Sequence, residues 1–359
     1  MKILLCTGIY PPEPGGPATY TKLLAEELVK RGHMIKVITY STPTLSPPYQ
    51  GGDEEGVVRI SRSWFKPLHY FRYFRMVKKL GKNFDVLYAQ DPVSAGYPTY
   101  LAARVLKKPY VVKATGDYSW EQAMGRKLTT VLIDEFQKLP HYPFWIKLMR
   151  RIQIQVCKEA NLVIVPSEYL RRLVMGWGIK EKKLHVIYNA SLDVPSISRE
   201  LHGGFRTVSV GRDVKWKGFE MLREAAAELQ KEIPDLKLEI LQNTPREIVL
   251  ERLAAADVFV LNSAYEGTSH VILEAMALGT PVVTTRVGGN SEIVTPGVGI
   301  LVEFNNKEEI KEAIRELYHD PSLRQRLAAA ATRMVKQKFS LDGMISETLA
   351  VLKFLIPNS

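Results

Sequence analysis

The feature that most constrains this chain is an alternation of short apolar runs with helical patterns. The runs are rich in β-branched residues: KILLCT, IKVITY, VLYAQ, YVVKAT, LVIVPS and LHVIYN in the first half, then RTVSVG, LKLEILQ, DVFVLNS, TPVVTT and GILVE. Continuous apolar strands separated by helices are typical of parallel sheets that are covered on both faces. The alternation therefore predicts an α/β fold.

A stretch without periodicity divides this alternation into two halves. It is rich in Ser, Pro and Gly, and we interpret residues 191–204 as a linker. The 359 residues are too many for one ordinary core and sufficient for two. We expect two doubly wound Rossmann-like domains, residues 1–190 and 205–341, facing each other across a cleft. In each, ligands would bind at the carboxyl ends of the strands.

Net charge and amino-acid composition limit the binding partners and the cellular compartment that we expect for this protein. The net charge is +11, which fits either an ordinary basic protein or one that binds a phosphate-bearing partner. Nucleic acid binding would rest on this charge alone, so we do not predict it. The two cysteines, Cys6 and Cys157, form no disulfide framework and suit a reducing compartment. The N-terminus does not resemble a signal peptide, and no run approaches the ~20 apolar residues of a membrane span. We expect a cytoplasmic protein.

Several nucleotide-binding motifs are absent from the sequence. The first strand is not followed by G-x-G-x-x-G, and no P-loop motif G-x-x-x-x-G-K-[ST] occurs. There is also no D-x-D pair, which would hold a metal ion on a sugar diphosphate. The sequence therefore predicts no dinucleotide fingerprint, no P-loop and no bound metal.

Two segments have the composition of diphosphate-binding loops. Gly15 and Gly16 lie between the first strand and a helix that we expect to begin near Thr19, where backbone N–H groups can approach an anion. An ordinary turn is the alternative. In VGRDVKWKG, after the first strand of the second half, Arg212 and Lys217 can neutralise a diphosphate without a metal. Solvated loop charges are the alternative there.

The segment YEGTSHVILEAMALGTPVV, residues 265–283, places two glutamates around a helix N-terminus. Thr268 or Ser269 would cap the helix, so Glu266 lies before it and Glu274 about two turns along it. The loop amides form an anion site at the helix N-terminus. A glutamate before that site can bind sugar hydroxyls, and one further along can bind a ribose diol. For each glutamate, a solvated helix charge is the alternative.

Taken together, these motifs resemble glycosyltransferase family 4 over nearly the whole chain. The motifs are E-x7-E before an alanine-rich helix, Gly-Arg-x4-Lys-Gly after a strand, an N-terminal Gly-Gly, RGHMIKVIT, and VGGNSEIV at 287–294. The resemblance implies a GT-B fold whose last helix, about 342–359, crosses back onto the first domain. It also implies a retaining, metal-independent enzyme that transfers a hexose from a nucleotide sugar. The co-substrate would be a UDP- or GDP-sugar, with no other cofactor.

The resemblance also assigns roles to the residues of these motifs. Glu266 would bind hydroxyls of the donor sugar and Glu274 the ribose, while Arg212 and Lys217 would hold the diphosphate. The Gly15-Gly16 pair would close over it. We expect Glu266, Arg212 and Lys217 to be catalytic. The residues expected to contact the sugar and phosphate between the glutamates are Gly267, Thr268, Ser269, His270, Val271 and Ile272.

The chain departs from the family pattern after YVVKAT. Many members carry a histidine there, facing the donor sugar, whereas this chain has residues 114–117, Ala-Thr-Gly-Asp. Thr115 and Asp117 can still hydrogen-bond the sugar, and Asp117 is our candidate for a catalytic role; it could equally be a turn residue. The missing histidine leaves a catalytically degenerate nucleotide-sugar-binding subunit as one alternative. Another GT-B enzyme, a sugar phosphorylase or an epimerase, is the other. The nucleobase of the donor should bind near residues 243–246, but these residues do not indicate which nucleobase it is.

The segment KPLHYFRYFRMVKKLGKNF, residues 66–84, predicts a basic amphipathic helix. One face carries Tyr70, Tyr73, Phe74, Val77 and Leu80, and the opposite face carries Arg72, Arg75, Lys79 and Lys82. An ordinary surface helix explains this pattern, and so does contact with an anionic membrane surface. The family favours the second, because its members often modify lipid-linked sugars or phospholipids. We therefore expect a lipid-linked or cell-envelope glycan acceptor, and a peripheral position at the inner face of the plasma membrane.

Overall fold

The computed structural model describes residues 1–13, 15–41, 56–62, 65–191, 194, 197 and 203–356. The linker predicted at 191–204 lies largely outside these residues. The described chain forms twelve strands and fourteen α-helices, divided between two compact units. Unit 1 contains Met1–Pro166, Leu170–Ile187 and the described residues from Ile345 onward; unit 2 contains Ser167–Tyr169 and Tyr188–Met344.

Unit 1 is built on a seven-stranded parallel sheet of order β3-β2-β1-β4-β5-β6-β7. Its strands are β1 Lys2–Cys6, β2 Met34–Ser41, β3 Val57–Ser61, β4 Val86–Ala89, β5 Tyr110–Lys113, β6 Leu162–Val165 and β7 Leu184–Val186. Its helices are α1 Gly16–Lys30, α2 Lys66–Gly81, α3 Gly96–Leu106, α4 Tyr118–Gly125, α5 Ile133–Phe136, α6 Phe144–Glu159 and α7 Glu168–Gly176, with most of α14, Leu341–Phe354. The central strands β4, β5 and β6 are buried throughout, as helices on both faces of the sheet require.

Two details of unit 1 differ from the sequence prediction. Strand β3 was not predicted, because VVRIS mixes apolar and polar residues and lies half-exposed at the sheet edge. Helix α1 begins at Gly16 and not near Thr19. The Gly15 carbonyl already accepts the N–H groups of Ala18 and Thr19, at 3.0 and 3.1 Å, and Pro17 suits the first helical turn because it needs no N–H partner.

Unit 2 contains a five-stranded parallel sheet of order β12-β11-β10-β8-β9. Its strands are β8 Phe205–Val210, β9 Leu236–Leu241, β10 Val258–Leu261, β11 Val282–Thr285 and β12 Ile300–Val302. Its helices are α8 Phe219–Leu229, α9 Arg246–Ala254, α10 His270–Ala277, α11 Asn290–Ile293, α12 Lys307–His319 and α13 Pro321–Lys338. Two apolar clusters cover the sheet faces. The prediction of two parallel α/β sheets is confirmed.

The strand order of unit 2 places a ligand crevice. Strand β8 has β9 on one side and β10 on the other, so the chain leaves β8 in one direction and later returns on its other side. Ligands of open α/β sheets bind at the carboxyl ends of the strands beside such a switch point. The loops after β8, β9 and β10 are therefore where the site should be sought. No helix within the described residues is both long and apolar enough to cross a membrane.

Candidate active site

Two ion pairs join the segments that follow β8, β9 and β10 at the carboxyl edge of the unit 2 sheet. Lys217, after β8, contacts the carboxylate of Glu266, after β10. Arg246, after β9, donates from Nε to Oε1 of Glu274 at 2.8 Å. The first pair joins the loops after β8 and β10, and the second joins the start of α9 to α10. Each combines one cation with one of the two glutamates of the E-x7-E motif.

Glycines position the Lys217 side chain. The side chain crosses Gly211, where a Cβ atom would stand 3.3 Å from Lys217 Cδ and Cε. Gly218 follows the lysine with φ +56°, and a Cβ there would fall 2.4 Å from Nδ2 of Asn262. Asn262 instead donates to the Gly218 carbonyl at 2.9 Å. The two glycines of Gly-Arg-x4-Lys-Gly thus allow the lysine to reach Glu266 with only 12% of its side chain exposed.

Arg212 stands apart from the ion pairs. It lies two residues after β8 in the same loop as Lys217, and its side chain is exposed. It forms no ion pair with any residue of the described ranges. Its guanidinium is therefore accessible to an external anion at the switch point.

Glu274 is the more deeply buried of the two glutamates. Its side chain is 8% exposed, and it is the fifth residue of α10, hence about one turn from the helix start where two were expected. Burial raises the pKa of Glu274, and the positive charge of Arg246 opposes that rise. The sequence did not assign Arg246 to the site. Its place at the start of α9, in the segment expected to meet the base, was the only available signal.

The loop that carries Glu266 is held by the two glycines of VGGNSEIV. The Gly289 N–H donates to the Glu266 carbonyl at 3.0 Å. A Cβ atom at Gly288 would lie 1.9 Å from that carbonyl oxygen, and one at Gly289 would lie 2.2 Å from the carbonyl of Gly267. Only glycines allow this approach of two backbones. Ser269 follows at the N-cap of α10, and residues 267–272 span the loop and first turn of the helix.

Glu292 is a further residue whose role the sequence did not reveal. Its carboxylate accepts the backbone N–H groups of Glu168 and Tyr169, at 2.8 and 2.7 Å, and the hydroxyl of Tyr188 at 2.9 Å. Three donors fix this carboxylate, and through it the short segment Ser167–Tyr169 packs with unit 2. Glu292 therefore has a structural role.

The candidate residues of unit 1 have different surroundings. Gly15 is exposed with φ +141° before α1, and Thr115 is half-buried after β5. Asp117 is fully buried, so it has no exposed oxygen to offer a sugar. Its carboxylate accepts from Ser119 Oγ at 2.5 Å, Gln153 Nε2 and Gln137 Nε2 at 2.8 Å, the Trp120 N–H at 3.1 Å and Arg150 Nη1 at 3.2 Å. This environment favours the turn reading, with Asp117 as the N-cap of α4.

The basic helix predicted in unit 1 is α2. Tyr73 and Val77 are fully buried, whereas Tyr70 and Phe74 on the same side are half-buried. The exposed cations of the helix and its C-terminal end are Arg72, Arg75, Lys78, Lys79 and Lys82. These cations form no ion pair with the described residues.

Two parallel α/β units, with cations and glutamates at a switch point of one sheet, are typical of GT-B glycosyltransferases. The sequence profile described as Glycosyltransferase Family 4 matches residues 14–190, and the one described as Glycosyl transferases group 1 matches residues 237–334. The chain belongs to glycosyltransferase family 4 and has the GT-B fold. As a member of this family, it transfers a sugar from a nucleotide sugar.

Several relatives are similar over most of their length. An uncharacterized glycosyltransferase of Methanocaldococcus jannaschii is 29% identical, with 98% of each chain covered. The alpha-D-kanosaminyltransferase of Streptomyces kanamyceticus is 32% identical, with 88% of each chain covered. A lipopolysaccharide core biosynthesis glycosyltransferase of Rhizobium meliloti is 28% identical over 61% of this chain and 69% of its own.

Solved structures share the fold at lower identity. Sucrose-phosphate synthase from Thermosynechococcus elongatus superposes with a TM-score of 0.79 at 17% identity, covering 100% of both chains. The Anabaena protein HepE in complex with UDP-glucose gives a TM-score of 0.72 at 18% identity, covering 98% of this chain and 100% of its own.

Proposed function

We propose that this protein transfers a hexose from a UDP- or GDP-sugar to a lipid-linked or other cell-envelope glycan, with retention of configuration and without a metal ion. The observation that carries the proposal is the pairing of Lys217 with Glu266, and of Arg246 with Glu274, at the switch point of unit 2. Lys217 suits the negatively charged diphosphate of a nucleotide sugar, and the two carboxylates suit the hydroxyls of its sugar and ribose.

The first part of the mechanism is stabilisation of the leaving group. When the donor enters, Lys217 exchanges the Glu266 carboxylate for the diphosphate, and Arg212 adds a second cation from the same loop. The N-terminus of α10 contributes its positive dipole end and backbone N–H groups. Fixed positive groups aimed at the diphosphate stabilise the charge that develops as the glycosidic bond breaks, which is the part a metal ion plays elsewhere.

Release of Lys217 leaves the Glu266 carboxylate to accept hydrogen bonds from the hydroxyls of the donor sugar. Those bonds orient the anomeric carbon toward the acceptor. Retention then follows the course expected in this family, in which the leaving phosphate helps to deprotonate the acceptor on the same face of the sugar. Thr115 in unit 1 remains our candidate for a further hydrogen bond to the sugar.

Glu274 acts on the nucleoside. Burial raises the pKa of Glu274 and favours its neutral form, and Arg246 at 2.8 Å opposes that rise and favours the charged form. A carboxylate held in this way accepts both hydrogen bonds of a ribose diol in fixed geometry. Arg246 is thus a positioning residue, and it lies where the base is expected.

The acceptor and the location rest on other observations. The Rhizobium meliloti relative is named for lipopolysaccharide core biosynthesis, which supports a cell-envelope glycan as the acceptor. The exposed cations of α2 support contact with an anionic lipid surface. We therefore place the protein in the cytoplasm, at the inner face of the plasma membrane.

A thermal-shift screen followed by a transfer assay tests the proposal. We expect a UDP- or GDP-sugar to raise Tm more than ADP- or dTDP-sugars. A donor present at 100 times its Kd adds about 2.7 kcal/mol of stability, whereas a nucleotide sugar that does not bind adds none. The best donor, radiolabelled in the sugar, is then incubated with an envelope lipid extract, and the anomer of the product is determined by NMR. Formation of an inverted product contradicts retention. A reaction that requires inorganic phosphate indicates a phosphorylase, and binding without transfer or hydrolysis indicates a degenerate subunit.

A further inference from the structure

Helices α2, α3 and α6 of unit 1 form an apolar groove whose lining includes none of the candidate donor-binding residues. Its volume is about 1130 Å³, beyond the ~300–1,000 Å³ usual for sites of small ligands. Apart from Arg104, Arg126 and three tyrosine hydroxyls, its walls are apolar. A groove of this size and composition suits a long hydrocarbon chain.

The rim of the groove exposes large apolar side chains to water. Phe71 is 54% exposed, Trp145 is 61% exposed, and Phe144 beside it is 72% exposed. Of the thirteen large apolar side chains exposed in the described chain, seven belong to α2, α3 and α6 or immediately precede them: Phe65, Leu68, Phe71, Val105, Phe144, Trp145 and Leu148. A concentrated patch of this kind marks a surface that binds an apolar partner.

A smaller basic cavity adjoins the groove. Its volume is about 380 Å³, and it shares Phe71 and Phe74 with the groove. The other residues that line it are Arg75, Lys78, Lys79 and Lys82. None of these cations forms an ion pair with a residue that the structure describes. Arg75 lies over the Phe71 ring at 5.9 Å, and no carboxylate of the described chain neutralises the cluster. An apolar groove that continues into such cations is complementary to an amphiphile with an anionic head.

Helix α6 repeats the surface chemistry of α2 on the other side of the groove. Phe144, Trp145 and Leu148 are exposed beside Lys147 and Arg151, which are exposed as well. Exposed aromatic residues next to cations are typical of helices that lie at a lipid–water interface. Both walls of the groove therefore have this character.

Charge argues against a second copy of the chain as the occupant. The chain carries +11, and self-association through this face would bring two clusters of four free cations toward each other. An anionic amphiphile removes the same repulsion. We infer that the groove binds a hydrocarbon chain of an anionic phospholipid, and that the basic cavity binds its phosphate. This site extends the proposed membrane contact and does not depend on the transfer reaction.

The first test separates the contribution of the ligand's hydrocarbon chain from that of its phosphate. Wild-type protein is titrated with dodecyl phosphate, butyl phosphate and the neutral dodecyl maltoside, each below its micelle concentration, with tryptophan fluorescence as the readout. We expect dodecyl phosphate to bind at least 100-fold more tightly than butyl phosphate, since each buried methylene contributes roughly a fourfold change in affinity. Dodecyl maltoside should bind at least tenfold more weakly than dodecyl phosphate. Equal affinities for the two phosphates would overturn the apolar part of the site.

The second test uses matched variants. Phe71→Gln with Leu148→Gln places two amides in the groove at positions that are already partly exposed, and should weaken dodecyl phosphate binding at least tenfold. The control is Ile248→Gln with Phe354→Gln, since these side chains are 40% and 77% exposed away from the groove. It should bind like wild type. The thermal shift with the nucleotide sugar should be the same in wild type, the groove variant and the control. If no protein shows a thermal shift, that result counts against the proposed function and leaves the lipid site standing.

A measurement on bilayers then tests whether the hydrocarbon chain in the groove comes from a membrane phospholipid. Phosphatidylserine-containing vesicles with brominated acyl chains should quench the fluorescence of wild-type protein, and Trp145→Phe should lose most of that quenching. Undiminished quenching in Trp145→Phe, or unchanged dodecyl phosphate affinity in the groove variant, would overturn the inference. So would concentration-dependent self-association of the wild type that the groove variant abolishes, because a second copy would then cover the groove.

Discussion

The cations paired with the two glutamates of unit 2 and the cations of α2 in unit 1 have opposite surroundings. In unit 2, the side chains of Lys217 and Arg246 are 12% and 31% exposed, and each is paired with a glutamate. In unit 1, Arg72, Arg75 and Lys79 are exposed, and none forms an ion pair within the described residues. A partly dehydrated, paired cation is prepared for one small anion at one position. A row of hydrated, free cations suits an extended charged surface, where many weak contacts add up.

The largest effect should come from disturbing the backbone that holds the paired site. At Gly288, φ is +54° and a Cβ atom would lie 1.9 Å from the Glu266 carbonyl oxygen. We expect Gly288→Ala to lose more than ~3 kcal/mol of unfolding free energy, because the backbone strain of positive φ adds to displacement of the loop. Urea unfolding measures this.

Gly297→Ala is the matched control for that change. Its φ of +83° is also positive, but no atom lies within 4 Å of the added Cβ. It should cost only the ~1–2 kcal/mol of left-handed backbone strain. Equal losses for the two variants would mean that the contact between the Gly288 region and the Glu266 loop does not matter.

Removing free cations from unit 1 should be the next largest effect. Each cation near an anionic bilayer contributes ~1 kcal/mol, so Arg72→Gln, Arg75→Gln and Lys79→Gln together should weaken vesicle binding by ~3 kcal/mol, or about 150-fold, at low salt. Nucleotide-sugar binding should not change. Co-sedimentation with anionic and neutral vesicles over a salt series is the measurement.

The control removes three cations that are already paired. Lys307, Lys311 and Arg315 on α12 all contact glutamates. Their replacement by Gln should leave vesicle binding close to wild type. If anionic and neutral vesicles sediment wild-type protein equally, or neither does, α2 is an ordinary solvated helix.

Removal of single side chains from the paired site should have a somewhat smaller effect. Glu274→Ala and Arg212→Ala should each weaken nucleotide-sugar binding by ~1.5–3 kcal/mol, or about 10- to 150-fold, because each loses a hydrogen bond to a charged group. Glu266→Ala should mainly lower kcat. Calorimetry and initial rates separate the two, with Glu303→Ala as the control because its pair with Arg286 is exposed. A folded Glu274→Ala protein with full donor affinity would contradict the ribose assignment.

Breaking the Arg246–Glu274 pair should reduce stability in a pH-dependent way. We expect Arg246→Ala to cost ~1–2 kcal/mol at pH 7, a value discounted because the arginine is partly exposed. Burial already raises the pKa of Glu274, and loss of Arg246 raises it further. An acid whose pKa is higher in the folded state destabilises that state as pH rises above its unfolded pKa.

The deficit of Arg246→Ala should therefore shrink as the pH falls from 7 toward 4, because Glu274 becomes increasingly protonated in both states. Denaturant unfolding across this range is the measurement. Arg252→Ala serves for comparison, since its contact with Glu239 is 3.5 Å long and exposed; it should cost less than ~0.5 kcal/mol at every pH. A deficit independent of pH would show that Arg246 acts through packing and not through charge.

The smallest expected effect is none at all. If fixed cations and a helix N-terminus take the place of a metal ion, transfer should continue at an unchanged rate in EDTA. Initial rates with and without the chelator test this. A loss of activity that magnesium or manganese specifically restores would show that the cations of unit 2 are not sufficient.

The sequence predicted the sheets well because buried parallel strands are continuous apolar runs. Strand β3 escaped because its edge position allows polar residues. The ion pairs could not be predicted, since they join residues 28 and 49 positions apart, and no local pattern reports such a contact. Likewise, the helical spacing of the apolar residues of α6 is the same as that of a helix whose apolar face is buried in the core. Only the packing of α2, α3 and α6 reveals that part of this face lines an open groove.

In the absence of donor, the Glu266 carboxylate occupies the position on Lys217 that the diphosphate is proposed to take. If Lys217 binds the diphosphate as proposed, an incoming donor must displace the Glu266 carboxylate from the ammonium group, so breaking this pair offsets part of the free energy of donor binding. After transfer, the same carboxylate can return to the lysine while the nucleotide departs. An internal competitor of this kind would weaken the binding of donor and product alike and so favour release of the product, which limits turnover in many enzymes.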